Sequence, residues 1–309
     1  MLKNLIGRFL QGILVLFVLF TITFFLIKEL PSGPFKSGEK AIPEHIRLKI
    51  EAYYGLDQPV QVQYYRTLTN LIKGDPGLSM RLEGREVTEI IFQAFPVSLR
   101  LGLAGMCIAI CIGIPLGVIA AWKKNTLMDY SAMALAMIGI CIPSFVIGPL
   151  FAEEFGRKLK WLPAMGWDPR DPASWLLPAL TLGLATAAYL SRLTRAGMLE
   201  ILSQDYIRTA KAKGVGNFRM LVRHALRGGL IPAVAFMGPA FAGIISGSVV
   251  IESVFAMPGL GLHFMKSIEV GDAPVILGSV MLYGTLIIIA NFLTDLLGVW
   301  LNPRLRASR

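Results

Sequence analysis

Residues 231–250 read IPAVAFMGPAFAGIISGSVV, a run of twenty positions without one Asp, Glu, Lys or Arg. At about 1.5 Å of rise per helical residue, that run reaches about 30 Å, the thickness of a bilayer's hydrocarbon core. Five further stretches qualify or nearly so: Phe9 to Ile27, Val97 to Ala121, Tyr130 to Phe151, Trp175 to Leu190, which is short and borrows length from the residues after it, and Val275 to Leu297. The whole composition agrees. Of 309 residues, 54% are apolar and 16% charged, with mean hydropathy +0.61, too few polar side chains to cover a water-soluble globule. Cys107, Cys111 and Cys141 all lie in apolar runs and are odd in number, which excludes a disulfide scaffold. The fold class is an all-α polytopic membrane protein, with six transmembrane helices and a small helical extracytoplasmic segment after the first.

Lys3 and Arg8 precede the first span as they would a signal peptide. Its apolar run is too long for one, and Leu30-Pro31-Ser32-Gly33-Pro34 follows in place of an Ala-x-Ala-like site, so it reads as an uncleaved span. Six spans put both termini on one side. The segments assigned inside are the amino terminus, Trp122 to Asp129, Ser191 to Leu230 and the tail from Val299. They hold fifteen of the thirty Lys and Arg against three acids, Asp129, Glu200 and Asp205. The outer Lys28 to Arg100 stretch balances ten basic residues with nine acids, and exceeds the length over which loop charge sets orientation. Both termini are therefore expected in the cytoplasm. The inner excess accounts for the net charge of +10, leaving no reason to invoke nucleic acid.

The domain organisation follows. Residues 1–27 form the amino terminus and first span, 28–95 the outer segment, 96–302 a five-helix core that includes an inner loop at 191–230, and 303–309 the tail. In the outer segment, Ile46, Ile50, Tyr53 and Tyr54 make one helical face ended by Gly55. Asp57-Gln58-Pro59 opens a second helix with Val60, Tyr64, Leu68 and Leu71 in register, closed by the turn Gly74-Asp75-Pro76-Gly77. This makes a small helical cap, either a structural lid or a docking surface for an extracytoplasmic partner.

The inner loop carries two amphipathic pieces separated by Gly214-Val215-Gly216. In the first, Tyr206, Ile207 and Ala210 share a face while Arg208, Lys211 and Lys213 point elsewhere. In the second, Phe218, Leu221, Val222 and Leu226 oppose Arg219, Arg223 and Arg227, with Asn217 as N-cap. A basic helix lying on an anionic leaflet is the simple explanation. The first piece lacks the Trp, Phe and Leu of interfacial anchors, and its small residues suit close approach by another protein.

Asp205-Tyr206-Ile207-Arg208-Thr209-Ala210-Lys211-Ala212-Lys213-Gly214, followed by Arg223-His224-Ala225-Leu226 and Leu230-Ile231-Pro232, resembles the coupling loop of binding-protein-dependent ABC importer permeases. The resemblance is to the dipeptide/oligopeptide/nickel branch and runs nearly end to end. It includes Gly55-Leu56-Asp57-Gln58-Pro59, Gly74-Asp75-Pro76-Gly77-Leu78-Ser79, Ile142-Pro143-Ser144-Phe145, Trp161-Leu162-Pro163, Val250-Ile251-Glu252-Ser253-Val254-Phe255 with Pro258-Gly259-Leu260-Gly261, and Asn302-Pro303-Arg304-Leu305-Arg306. The extended outer segment resembles the B-type permease of oligopeptide systems, Pro31-Ser32-Gly33-Pro34-Phe35 standing where many relatives read Pro-Gly-Asp-Pro. Arg208, Thr209 and Ala210 stand where the general importer motif begins Glu-Ala-Ala, and Arg227 where many relatives have proline.

The resemblance implies a permease subunit in a bacterial inner membrane, importing oligopeptides, or alternatively dipeptides or a nickel chelate. It also implies a homologous second permease, two cytoplasmic ATPase subunits and an extracytoplasmic peptide-binding protein. Residues 205–214 would meet the ATPases; Glu252, Pro258, Gly259 and Gly261 would shape the outer gate or meet the binding protein. No cofactor is implied on this chain, with ATP and Mg held by the partner subunits. Gly33 to Lys40 has the glycine spacing of a phosphate-binding loop without its Gly-Lys-Ser/Thr. His45, His224 and His263 lie on separate segments, and Cys107 and Cys111 share a helix face without further ligands in sequence. An ion-coupled secondary transporter would need intramembrane acids or paired broken helices, and only Asp295 is on offer. Gly113 with Gly117, and Gly243 with Gly247, are expected to allow close helix packing, and Pro115 to kink the second span. Glu153 and Glu154, at the outer end of the third span, have no explanation in the sequence.

Overall fold

The computed structural model describes residues 2–29, 48, 52–82 and 84–301. Outside them fall Ile46 and Ile50 of the first cap helix, the Gly33 to Lys40 glycine pattern, Pro31 to Phe35 and the tail 303–309. Among the described residues the helices are α1 (Leu2–Glu29), α2 (Val60–Ile72), α3 (Val87–Trp122), α4 (Leu127–Cys141), α5 (Ser144–Phe151), α6 (Ala173–Leu202), α7 (Asp205–Ala212), α8 (Asn217–Met220), α9 (Leu226–Gly229), α10 (Ile231–Val254), α11 (Leu260–Val270) and α12 (Ala273–Leu301). Two π-helical turns, Ala152–Lys158 and Leu221–Ala225, extend α5 and join α8 to α9. Helices α1, α3, α6, α10 and α12 are each long and apolar enough to cross a membrane. The third expected span is broken rather than straight. Its halves, Leu127–Cys141 and Ser144–Lys158, meet at 99°. Pro143 offers no N–H and drives Ile142 out of the helical region, to φ −89° and ψ 119°. Helix α3, by contrast, runs continuously through Pro115.

The chain divides into two units, one of Leu99–Met257 and Ile287–Arg309 with Met1–Leu2, the other of Lys3–Ser98 and Pro258–Leu286. In the first, small residues set the helix spacing. A Cβ added at Gly113 would sit 2.6 Å from the Ala187 carbonyl oxygen, and one at Gly117 would strike the Ser191 carbonyl, so α3 and α6 touch backbone to backbone. Ala109, Ala187, Leu190 and Ala233 fill that junction. Gly238 plays the same part between α10 and the α12 residues Asn291 and Thr294. Gly247 meets only Leu182, and nothing described lies within 4 Å of a Cβ at Gly243, so this second glycine pair lines an open face.

In the second unit, Tyr64, Leu68 and Leu71 of α2 pack on Phe20, Phe24 and Leu277 as their register predicts, while Val60, expected on the same face, is exposed at the start of the helix. Tyr64 stands edge-on to both phenylalanines, at 5.2 and 5.3 Å between ring centroids. The 74–77 turn forms, with Asp75 Oδ1 accepting the Gly77 N–H at 2.9 Å and positive φ at Gly74 and Gly77. Buried Asp272 accepts the Ser79 hydroxyl and the Met80 N–H, tying the segment after that turn to the start of α12.

Candidate functional site

Helix α6 continues past the apolar run to Leu202, turns at Ser203 and Gln204, and re-enters as α7. Adjacent residues of a helix differ in direction by about 100°, so Tyr206 and Ile207 separate. Ile207 is fully buried among Ala121, Met198, Met220, Leu221 and Ala225. Its role therefore differs from the contact surface expected of it, since it fastens α7 to the chain's own core. Tyr206 is half exposed, and its hydroxyl approaches the His224 carbonyl at 3.4 Å. Asp205, Arg208, Thr209, Lys211, Ala212, Lys213 and Gly214 are exposed, and Ala210 is half-buried. Gly214 closes the helix at φ +79°, donating to the Lys211 carbonyl at 3.0 Å, while Val215 donates to Ala210.

The surface is thus a short helix, riveted by one isoleucine, that presents a tyrosine and a cluster of cations. The second piece adds to it. Met220, Leu221 and Ala225 face inward, while Phe218, Arg219, Val222 and Arg223 face out. Phe218 is 71% exposed, a large apolar surface beside guanidinium groups. The Arg208–Asp205 pair, at 3.5 Å and open to water, adds little stability.

The other expected site residues lie elsewhere. Glu252 is buried near the carboxyl end of α10 in the first unit, its carbonyl accepting the Met257 N–H at 2.8 Å. Pro258, Gly259 and Gly261 belong to the second unit at the start of α11, Pro258 exposed and both glycines buried. Cys107 and Cys111 share an exposed face with sulfurs 4.0 Å apart, and no third ligand gathers there among the described residues. Glu153 and Glu154 pair with Arg157 and Lys158 one turn on, at 3.5 and 2.6 Å.

One feature beside the loop was not legible in sequence. Asp129, at the start of α4 and fully buried, accepts Nε and Nη2 of Arg195 at 2.6 and 2.7 Å and the Asn125 N–H at 3.0 Å. The two residues are 66 positions apart, so no spacing announces them.

Residues 113–307 match the family model described as binding-protein-dependent transport system inner membrane component, and residues 1–102 match the N-terminal membrane component of such systems. The chain is 41% identical to the oligopeptide transport system permease protein OppB of Haemophilus influenzae, covering 99% of this chain and 100% of that one. It is 41% identical to the dipeptide permease DppB of Bacillus subtilis, over 100% and 99% of the two chains. It is 38% identical to the glutathione permease GsiC of Escherichia coli, over 99% of each. The fold also resembles a chain of the inward-facing MetNI methionine ABC transporter, with TM-score 0.60 and 16% identity over 69% of this chain and 96% of that one.

Proposed function

The chain belongs to the family of binding-protein-dependent transport system inner membrane components, as a multi-pass permease of the ABC peptide-transport branch, and on that premise we propose that it forms half of a pore importing oligopeptides. Its partners are a homologous second permease, two cytoplasmic ATPase subunits that hold ATP and Mg, and an extracytoplasmic peptide-binding protein. Both termini lie in the cytoplasm. Closure of the ATPase pair pushes α7, and α6 and α10 carry the displacement into the pore. The observation that supports this reading is the form of the loop: Ile207 anchors it within, while Tyr206, Arg208, Lys211 and Lys213 face outward for a partner of opposite charge.

The test is charge reversal at Arg208 and Lys211 in the reconstituted assembly. The double substitution R208E/K211E is expected to lose most copurifying ATPase subunit and most uptake, while the chain still inserts. Full retention of both would overturn the coupling role. Cargo is decided separately, by uptake of peptides of graded length in cells lacking the native chain. The equal identity to a dipeptide permease makes this the informative comparison. Import of longer peptides is expected; transport confined to dipeptides would replace oligopeptide with dipeptide.

A further inference from the structure

The loop meets α3, α4 and α6 where it leaves the membrane, and these helices are joined to it and to one another in different ways. Helix α7 and the turn 221–225 share one apolar cluster with Met198 of α6 and Ala121 of α3, so the loop and the inner ends of those two spans form one piece. Helix α4 lies against α6 through small residues: Ala132 and Ala136 are buried, and a Cβ at Gly139 would sit 3.2 Å from that of Ala188. The contact is close, and packed helices shift past one another by small sliding movements. It is pinned at one end. Asp129 is fully buried and receives Arg195 through two parallel N–H···O bonds, the geometry that fixes direction as well as distance. The Asn125 N–H holds the same carboxylate from its own side.

At its other end α4 breaks at Ile142 and Pro143. The following half-helix sets Gly148 against Ile251 and Phe255 of the α10 end and Thr181 of α6, with those side chains 3.4–3.5 Å from where its Cβ would be. From Asp129 the helix runs unbroken to Cys141, and the half-helix that makes this junction begins just past the 99° bend. We propose that the Asp129–Arg195 pair is where motion of the loop enters the third span, as a positioning pair that couples ATP hydrolysis to opening of the path. The inference rests on the reading of the chain as an importer permease. The two parallel bonds fix direction as well as distance, and the pair sits at the loop end of the contact between α4 and α6.

The experiment measures ATP hydrolysed per peptide imported by the full assembly in proteoliposomes, together with its melting temperature. Asp129→Asn keeps the shape and removes the charge; Arg195→Lys keeps the charge and removes the fork. Each is expected to raise the ratio roughly two- to thirtyfold, the range over which coupling residues act, with ATPase subunits still bound. Asp129→Glu, which retains a carboxylate, is expected to raise it less than Asp129→Asn. An unchanged ratio with a lowered melting temperature, or loss of insertion in both variants, would mark the pair as structural and overturn the proposal. Absence of ATP-driven uptake by the unsubstituted assembly would instead overturn the importer reading itself.

Discussion

Gly117 has no side chain because none fits: a Cβ there would strike the Ser191 carbonyl and come within 2.6 Å of the Thr194 Cβ. Gly117→Val is therefore expected to destabilise the chain by about 1–3 kcal/mol, as overpacking does elsewhere, seen as a lower melting temperature in detergent. Gly243→Ala, facing open space, is expected to leave the isolated chain unchanged. Equal melting of both variants would refute the packing argument. His263 on α11 makes a second residue-scale case. Burial, helped by Lys266 and Arg85, holds its imidazole below the usual value of 6.5. The fold thus favours the neutral ring. Below about pH 6.5 the unfolded chain takes up a proton that the folded chain resists, so stability falls as the pH drops toward the folded value. Asp272 acts with the opposite sign at lower pH, since burial raises its carboxyl above 3.8 and lets the fold hold its proton. Melting curves between pH 7.5 and 5.5 should show the loss in the native chain and a shallower one in His263→Gln. Identical slopes would dismiss the histidine's part.

At the level of elements, α2 is held to α1 chiefly by Tyr64, which meets the Phe20, Phe24 and Phe25 rings and shares a 2.8 Å hydrogen bond with Thr21. Tyr64→Ala is expected to cost about 3–5 kcal/mol of local stability, in line with other aromatic truncations. Limited proteolysis of the cap would register it, and unaltered resistance would contradict it. The register behind this packing was legible, because Tyr64, Leu68 and Leu71 recur at helical spacing and no competing surface was present. The long spans were legible for a similar reason, since nearly uncharged runs of about bilayer length have few other uses. The break in the third span was not. Pro149, Pro178 and Pro239 sit inside helices that continue, so proline alone does not announce a bend. The burial of Ile207 is not legible either, because an eight-residue helix places apolar neighbours on diverging faces, and only the surrounding core decides which turns inward. Asp129 and Arg195 were hidden by distance along the chain. Their charges were counted toward topology, where they carry no information about each other.

For the molecule as a whole, the asymmetry of charge is what supports the proposed orientation. Fifteen basic residues against three acids lie in the segments assigned inside, and moving such loops outward would oppose the preference that retains Lys and Arg in the cytoplasm. The exposed positions supply a direct test, once Cys107, Cys111 and Cys141, themselves exposed, are replaced by serine. Tyr65→Cys in α2 and Trp161→Cys after the broken span, at 68% and 70% exposed positions, should react in intact cells with a thiol reagent that cannot cross the membrane. Lys124→Cys and Lys211→Cys, also at exposed positions, should react only after the membrane is permeabilised. Labelling of Lys211→Cys from outside would place α7 beyond the reach of any cytoplasmic ATPase, whereas protection there with labelling at Tyr65 would set the cap and the loop on opposite sides, as a pore driven from within requires.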